Sequence, residues 1–398
     1  MLSLRCLRLA LPSPFPDLGP PIQTGGDHKT TILFLLTAFY LLSTRHKQSL
    51  AAVPLILAAV GDPMAIWIGI SAVGLVGLVF IDRGQAHYGL KLLLLAAASL
   101  LIAKLIVAAI PLMGGFDTAT GDLPTTLLRL DDLPHNLRLF FESVLVLFGA
   151  DPFGLEAASF ETGMVFLRLM VLVFVIWVMW RMVKVGARKA DTLKLLLLSA
   201  LILNVLAFVF STTPMDLGSA RYLPTLTIFG PLIAGLCWYE RGIRATQLRI
   251  AMPIVAAAFL IPFGRHILQP IPEPPREVIE FLQANHLSEG YGSYWTADIL
   301  TVLSDGKLKV RQVAMGPEGK LLPFQWQSAR QWYEMKDARF LVFKDDVYGV
   351  NSTTAVATWG LPNDRTEVEG YTILSWGTPL HLPQGAAIPH RVRYIPSK

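Results

Sequence analysis

The most informative charges in this sequence are cations that lie inside or at the ends of long apolar segments. They are Lys104, Arg168, Arg221 and Arg265, with Tyr222 directly after Arg221. A cation within a membrane-spanning helix costs about 2.5 to 3.5 kcal/mol on insertion scales, so it commonly marks a pathway or a bound anion. As a set, these residues predict an anion site near one face of a membrane. The alternative is that each long side chain reaches the membrane interface on its own.

Chemistry at an anion site also needs a base, and the sequence offers only weak candidates. Asp27 and Asp62 lie near the same predicted membrane face, but no pair of acids has a diagnostic spacing. The sequence contains no HExxH, Walker loop or serine nucleophile elbow. Two distant cysteines, Cys6 and Cys237, exclude a disulfide framework and a cysteine metal site. We therefore predict no resident metal or cofactor, although a divalent metal remains open.

The elements that would position these residues are membrane-spanning helices. Of 398 residues, 53% are hydrophobic and 16% are charged, which excludes an ordinary cytosolic enzyme and a disordered chain. The pattern predicts about eight spans, at residues 30–43, 50–60, 64–81, 89–110, 164–183, 192–212, 221–239 and 248–264. The first two are shorter than the about 20 residues that a span needs, so they are tilted spans or a re-entrant pair.

The charges of the loops predict the orientation of this bundle, residues 30–264. Loop 181–194 carries five basic residues and one acid, which places it in the cytoplasm, and loops 44–48 and 240–249 are also basic. Loop 111–163 has eight acids and two arginines and falls on the exoplasmic side. Residues 1–29 then become an exoplasmic segment without a signal peptide. We expect a chain truncated at its N-terminus, or else one short segment that does not span.

Two further regions have patterns of their own. Residues 134–149 show helical spacing of apolar side chains, which indicates a helix in the membrane interface or a helix packed on the bundle. In residues 265–398, extended and helical stretches alternate, which predicts a small exoplasmic α/β domain with a largely parallel sheet. Fourteen basic and fourteen acidic residues balance there, so no nucleic-acid partner is predicted.

The stretch 211–224, which ends in Arg-Tyr-Leu-Pro, resembles the outer-loop pattern of the bacterial GT-C superfamily. Three further segments are similar to the same group: the Gly-Asp-Pro turn at 61–63, the loop sequence 136–154 and the start of the outer domain at 290–295. These are multi-span glycosyltransferases that use polyprenyl-phosphate-linked sugars. The resemblance implies that Arg221 faces the lipid phosphate. The catalytic acid of that superfamily lies in the first exoplasmic loop, which is missing here or reduced to residues 1–29.

From these observations we expect an integral membrane glycosyltransferase in a bacterial inner membrane. It would transfer a hexosyl or pentosyl group from a polyprenyl-phosphate donor to a glycan, lipid or protein acceptor of the cell envelope. The absent catalytic motif leaves two alternatives: a non-catalytic membrane protein, either a transporter or a scaffold, and an inactive fragment of such an enzyme.

Overall fold

The structure is a computed structural model. It describes residues 28–44, 47–113, 126–186, 191–214, 216–240, 253, 256, 259–260, 275–316, 318–324, 328–344, 347–383 and 385. Asp27 and Arg265, two of the predicted site residues, lie outside these residues. The chain divides into two compact units: Met1–Ala109 with Thr125–Pro270, and Ile110–Pro124 with Ile271–Lys398. We call them the helical unit and the C-terminal unit.

In its described part, the helical unit contains eight α-helices. They are α1 Lys29–Ser43, α2 Ala52–Gly61, α3 Ser71–Asp82, α4 Ala86–Leu112, α5 Leu133–Phe148, α6 Phe160–Gly186, α7 Thr192–Phe210 and α8 Pro224–Glu240. A π-helical segment, Ile66–Ile70, runs directly into α3. The Ser71 hydroxyl donates to the Ile66 carbonyl oxygen at 2.9 Å, which stabilises this wider turn.

Within the described residues, three helices are long and apolar enough to cross a membrane: Ala86–Ile110, Phe160–Trp177 and Thr192–Phe210. Our count of about eight spans is therefore not supported. Four other predicted segments form shorter apolar helices of 10–17 residues, namely Thr30–Ser43, Gln48–Gly61, Ile66–Asp82 and Pro224–Leu236. At about 1.5 Å per residue, such helices are shorter than a hydrocarbon core of about 30 Å. The eighth segment, 248–264, falls largely outside the described residues.

The core of the helical unit is built around α7, whose side chains from Leu195 to Leu201 are almost all buried. Helices α3 and α4 meet through two glycines. A Cβ on Gly77 would lie 2.9 Å from the Gly89 carbonyl oxygen, and a Cβ on Gly89 would meet the Gly77 carbonyl oxygen. Only glycine therefore allows the two backbones to approach so closely.

Helix α5 confirms the helix predicted at 134–149. Pro134 lies in its first turn, and Gly149 ends it with φ of 56°, the left-handed conformation that glycine adopts at little cost. Its buried face includes Leu139 and Leu147, which belong to one apolar cluster with Leu172 of α6 and Phe208 of α7. One face of the helix is thus packed on the bundle, whereas Leu137 and Phe141 are exposed.

The C-terminal unit is an α/β arrangement. Its elements are α9 Arg276–Ala284, β1 Glu289–Gly292, α10 Tyr294–Leu303, β2 Lys309–Met315, β3 Leu321–Pro323, β4 Phe340–Phe343, α11 Ser352–Trp359, β5 Asp364–Val368 and β6 Tyr371–Ser375. The strand order is β3-β2-β1-β4-β6-β5. Only β2, β1 and β4 run parallel among these strands, so the expectation of a largely parallel sheet was wrong.

Short connections explain the antiparallel edges of this sheet. Glu369 and Gly370 join β5 to β6 with φ of 48° and 75°, the left-handed pair of a tight hairpin turn. Two strands joined so closely cannot run parallel, because a parallel crossover needs about a dozen residues. The aromatic residues Tyr291 and Tyr294 are buried and form part of the core of the unit.

Candidate functional site

The first component of the candidate site is Asp62, in the turn that follows α2. Its carboxylate accepts hydrogen bonds from the Met64 amide at 2.9 Å, the Thr31 hydroxyl at 2.8 Å and His28 Nδ1 at 2.7 Å. The Met64 bond is typical of a residue that caps the start of a helix. The other two bonds come from the beginning of α1, so this carboxylate joins two distant parts of the chain.

The Asp62 side chain is largely shielded, with 10% exposed against 14% for His28. Burial raises the pKa of this carboxyl, but the hydrogen bond and charge of His28, with the Met64 and Thr31 bonds, lower it more. The net pKa is below its usual value, so Asp62 is ionised at neutral pH. In the neutral form of His28, the hydrogen bond to the ionised Asp62 places the proton on Nδ1, and Nε2 is then the acceptor nitrogen.

The second component is the pair Arg221–Tyr222. The imidazole of His28 and the ring of Tyr222 have centroids 5.7 Å apart. Arg221 Nη2 donates to the Tyr222 hydroxyl at 3.0 Å, and its guanidinium lies 5.0 Å from the centre of the same ring. Tyr222 therefore has the imidazole of the Asp62 pair and a half-buried guanidinium as neighbours, which joins the weak base candidate to the predicted phosphate ligand.

A short 3-10 helix, Leu217–Tyr222, carries this pair. At its start, Asp216 and Ser219 form a capping box. At its end, Asn204 of α7 donates to the Tyr222 carbonyl oxygen at 2.8 Å and accepts from the Thr225 hydroxyl at 2.6 Å. Asn204 thus links α7 to the residues at the start of α8. Both ends of the segment are tied down, so the position of Arg221 is set by the bundle.

The remaining predicted cations are placed differently. Arg168 is buried on α6, where Nη1 donates to the Gly149 carbonyl oxygen at 3.2 Å. Its guanidinium also lies 5.9 Å from the Phe259 ring centre. Lys104 is exposed on α4. Of the predicted site residues, the described structure joins Asp62, Arg221 and Tyr222 through the contacts named above.

The residues that sequence reasoning missed as site members are His28 and Thr31. In the sequence, His28 precedes the first apolar segment. Its contact with Asp62 spans 34 positions of the sequence, and no local pattern reports such a pairing. The available signal was weak: His28 and Asp62 are the polar residues that flank the two short apolar helices α1 and α2.

Within the described ranges, no group of three or more His, Cys, Asp or Glu residues could hold a metal ion. The arrangement around Tyr222 instead combines an acid–base pair with a cation. Comparisons with protein-family models, with curated proteins and with solved structures found no match for this chain.

Proposed function

We propose that this chain is a membrane glycosyltransferase that transfers a sugar from a polyprenyl-phosphate donor to a hydroxyl acceptor. The observation that carries the proposal is the array Asp62–His28–Tyr222–Arg221, which unites a candidate base with a candidate phosphate ligand. The resemblance of residues 211–224 to the GT-C superfamily supports the same function, because Arg221 is the residue that the resemblance assigns to the lipid phosphate.

The chemistry that we propose uses both ends of the array. The acceptor hydroxyl gives its proton to His28 Nε2 as its oxygen forms a bond to the anomeric carbon, and Asp62 stabilises the resulting imidazolium. The bond from the anomeric carbon to the phosphate oxygen breaks, and its electron pair stays on that oxygen. Arg221 stabilises the charge of the departing polyprenyl phosphate, which a fixed cation does best where water is scarce.

The topology that we propose places this array on the exoplasmic side of a bacterial inner membrane. The three candidate spans would form the bundle together with the shorter apolar helices as tilted or re-entrant elements. The basic loop 181–194 and the acidic loop 111–163 support this orientation. The C-terminal unit would then lie outside the membrane on the same side as the acceptor.

The central test is Arg221→Ala in the full-length chain, reconstituted in vesicles with radiolabelled polyprenyl-phosphate hexoses and pentoses. We expect transfer to fall by at least about 10²-fold, the scale for losing one group that stabilises transition-state charge. Arg129→Ala is the matched control, because Arg129 is 83% exposed and pairs with Asp131 at 3.7 Å. Resistance to alkaline extraction would show that both variants remain inserted.

Unchanged transfer in Arg221→Ala would remove the main support for the proposal. Movement of the lipid or sugar across the vesicle membrane without glycosyl transfer would point instead to a transporter. Turnover by the wild type that Arg129→Ala retains and Arg221→Ala loses would establish the role of the arginine.

A further inference from the structure

Helix α5 is attached near both of its ends to candidate spans, to the end of α7 and to a residue within α6. Near its start, Asn136 Nδ2 donates to the carbonyl oxygens of Val209 at 3.0 Å and Ser211 at 2.9 Å, where α7 ends. At the other end, the Gly149 carbonyl oxygen accepts from Arg168, two turns into α6. Helices α6 and α7 are consecutive, so the beginning of α6 and the end of α7 lie on the same side of a membrane that both cross.

These two attachments determine the depth and direction of α5. A helix from Leu133 to Phe148 is about 24 Å long at about 1.5 Å per residue. Both attachments are in the half of the bundle that contains the start of α6 and the end of α7, so the helix lies in that half.

To one side of its packed face, α5 has exposed apolar side chains. Leu137 and Phe141 are one turn apart on one side of the helix and are 39% and 63% exposed, whereas Leu139 on the packed side is 5% exposed. Beside them, Arg138 and Glu142 form an ion pair at 2.7 Å. An apolar stripe bordered by charged side chains is the pattern of helices that lie in a membrane interface.

On α6, Phe160, Phe166 and Met170 are also exposed, by 54%, 52% and 62%. We propose that α5 lies in the plane of the membrane interface, with Leu137 and Phe141 embedded among the lipids. This inference concerns a lipid-binding surface and does not depend on glycosyl transfer.

The test is site-directed spin labelling of the full-length chain in phosphatidylethanolamine–phosphatidylglycerol vesicles, in a background of Cys6→Ser and Cys237→Ser. Phe141→Cys carries the probe on the exposed apolar face. Arg138→Cys is the matched control, because Arg138 is exposed beside that face on the same helix. Both substitutions are at exposed positions, so neither removes a packed side chain.

We expect the nitroxide at 141 to collide frequently with oxygen and rarely with a water-soluble nickel complex. Its oxygen-to-nickel accessibility ratio should be several-fold higher than that at 138. Free access of nickel at 141, equal to that at 138, would overturn the inference, because that face would then be in water. Low accessibility to both reagents at 141 would also overturn it, because protein, a second copy included, would then cover the face.

Discussion

Each unit of the molecule contains an aspartate that is at least partly buried. The two aspartates differ in how many hydrogen bonds they accept. Asp62 in the helical unit accepts three hydrogen bonds, from His28, Thr31 and Met64. Asp298 in the C-terminal unit accepts one from Gln312 Nε2 at 2.7 Å. Burial raises the pKa of Asp298, and Gln312 and Arg311 offset only part of that rise. The pKa of Asp62 is lowered instead.

The difference shows what keeps a shielded carboxylate ionised. Removal from water disfavours the charged form in both places, and only enough donors and opposite charge reverse that effect. The donors of Asp62 come from its own turn and from the start of α1, so contacts between distant parts of the chain stabilise the ionised carboxylate of Asp62. Among the described residues, Asp298 accepts one hydrogen bond, from the Gln312 amide of strand β2, an arrangement that suits a structural residue.

Substitutions of the two aspartates are expected to differ most in the rate of glycosyl transfer. Asp62→Asn keeps an oxygen for the Met64 amide but removes the charge that orients His28. We expect a loss of about 10²- to 10⁴-fold, the usual contribution of a general base. The matched variant Asp298→Asn should transfer at the wild-type rate. Initial rates in reconstituted vesicles measure both, and equal rates in the two variants would contradict our assignment of Asp62.

His28→Asn tests which member of the pair accepts the proton. Asparagine can still donate to Asp62, but it has no nitrogen in the place of Nε2. We expect transfer to fall by about 10²- to 10⁴-fold, at least as far as in Asp62→Asn, because the group that accepts the proton is lost. The rate constant for transfer at saturating donor is the measurement. A variant as active as the wild type would show that Asp62 acts without the imidazole.

Tyr222→Phe should have a smaller effect on glycosyl transfer than the two substitutions above. The change keeps the ring beside His28 and removes the hydroxyl that accepts from Arg221 Nη2. One such hydrogen bond contributes about 0.5 to 1.5 kcal/mol, so we expect binding of the donor to weaken by about 2- to 12-fold. The change should appear in KM with kcat unchanged. A fall in kcat alone would indicate that the hydroxyl takes part in the chemical step.

The smallest expected effect is on the stability of the C-terminal unit. The folded-state pKa of Asp298 is raised, so its contribution to stability is present below its unfolded pKa of about 3.9 and is lost as pH rises through the folded pKa. The neutral side chain of the Asp298→Asn variant does not titrate and would not lose this contribution. Its amide could also donate to Gln312 Oε1, which has no partner among the described residues.

We therefore expect Asp298→Asn to stabilise the C-terminal unit at neutral pH by up to about 1 kcal/mol, the net value of one hydrogen bond. The advantage should decrease as the pH approaches the acid range. Calorimetry of the full-length protein in detergent, at several pH values, measures this difference. A variant less stable than the wild type at neutral pH would show that the charge of Asp298 is needed where it is.

Local features of the fold were predictable from the sequence. Apolar spacing with Pro134 and Gly149 predicted α5 within one residue at either end, and an apolar run predicted α7. The same reasoning overestimated the number of spans, because it measures apolar length and not helix length. The segment predicted at 64–81 is partly π-helical, with a wider turn at Ile66–Ile70 that hydropathy does not report.

Long-range contacts were not predictable in the same way. The sequence shows Arg221 as a cation at the end of an apolar segment. Its proximity to the Asp62–His28 pair depends on how α1, α2 and α7 pack together, which no local pattern reports. The edges of the C-terminal sheet were missed for a related reason. Strand β3 has only three residues, Leu321–Pro323, too few for a periodic pattern.

The glycine contact between α3 and α4 also bears on how the chain is made. Gly77 and Gly89 let the two backbones touch, and only a short turn near Arg83 connects the helices. We expect the two to leave the ribosome in quick succession and to enter a bilayer together as one hairpin. Alanine at Gly89 would meet backbone atoms of α3, which cannot move aside as a flexible side chain does. Its effect would then appear during biogenesis, as less inserted protein, as well as in the packing of the folded molecule.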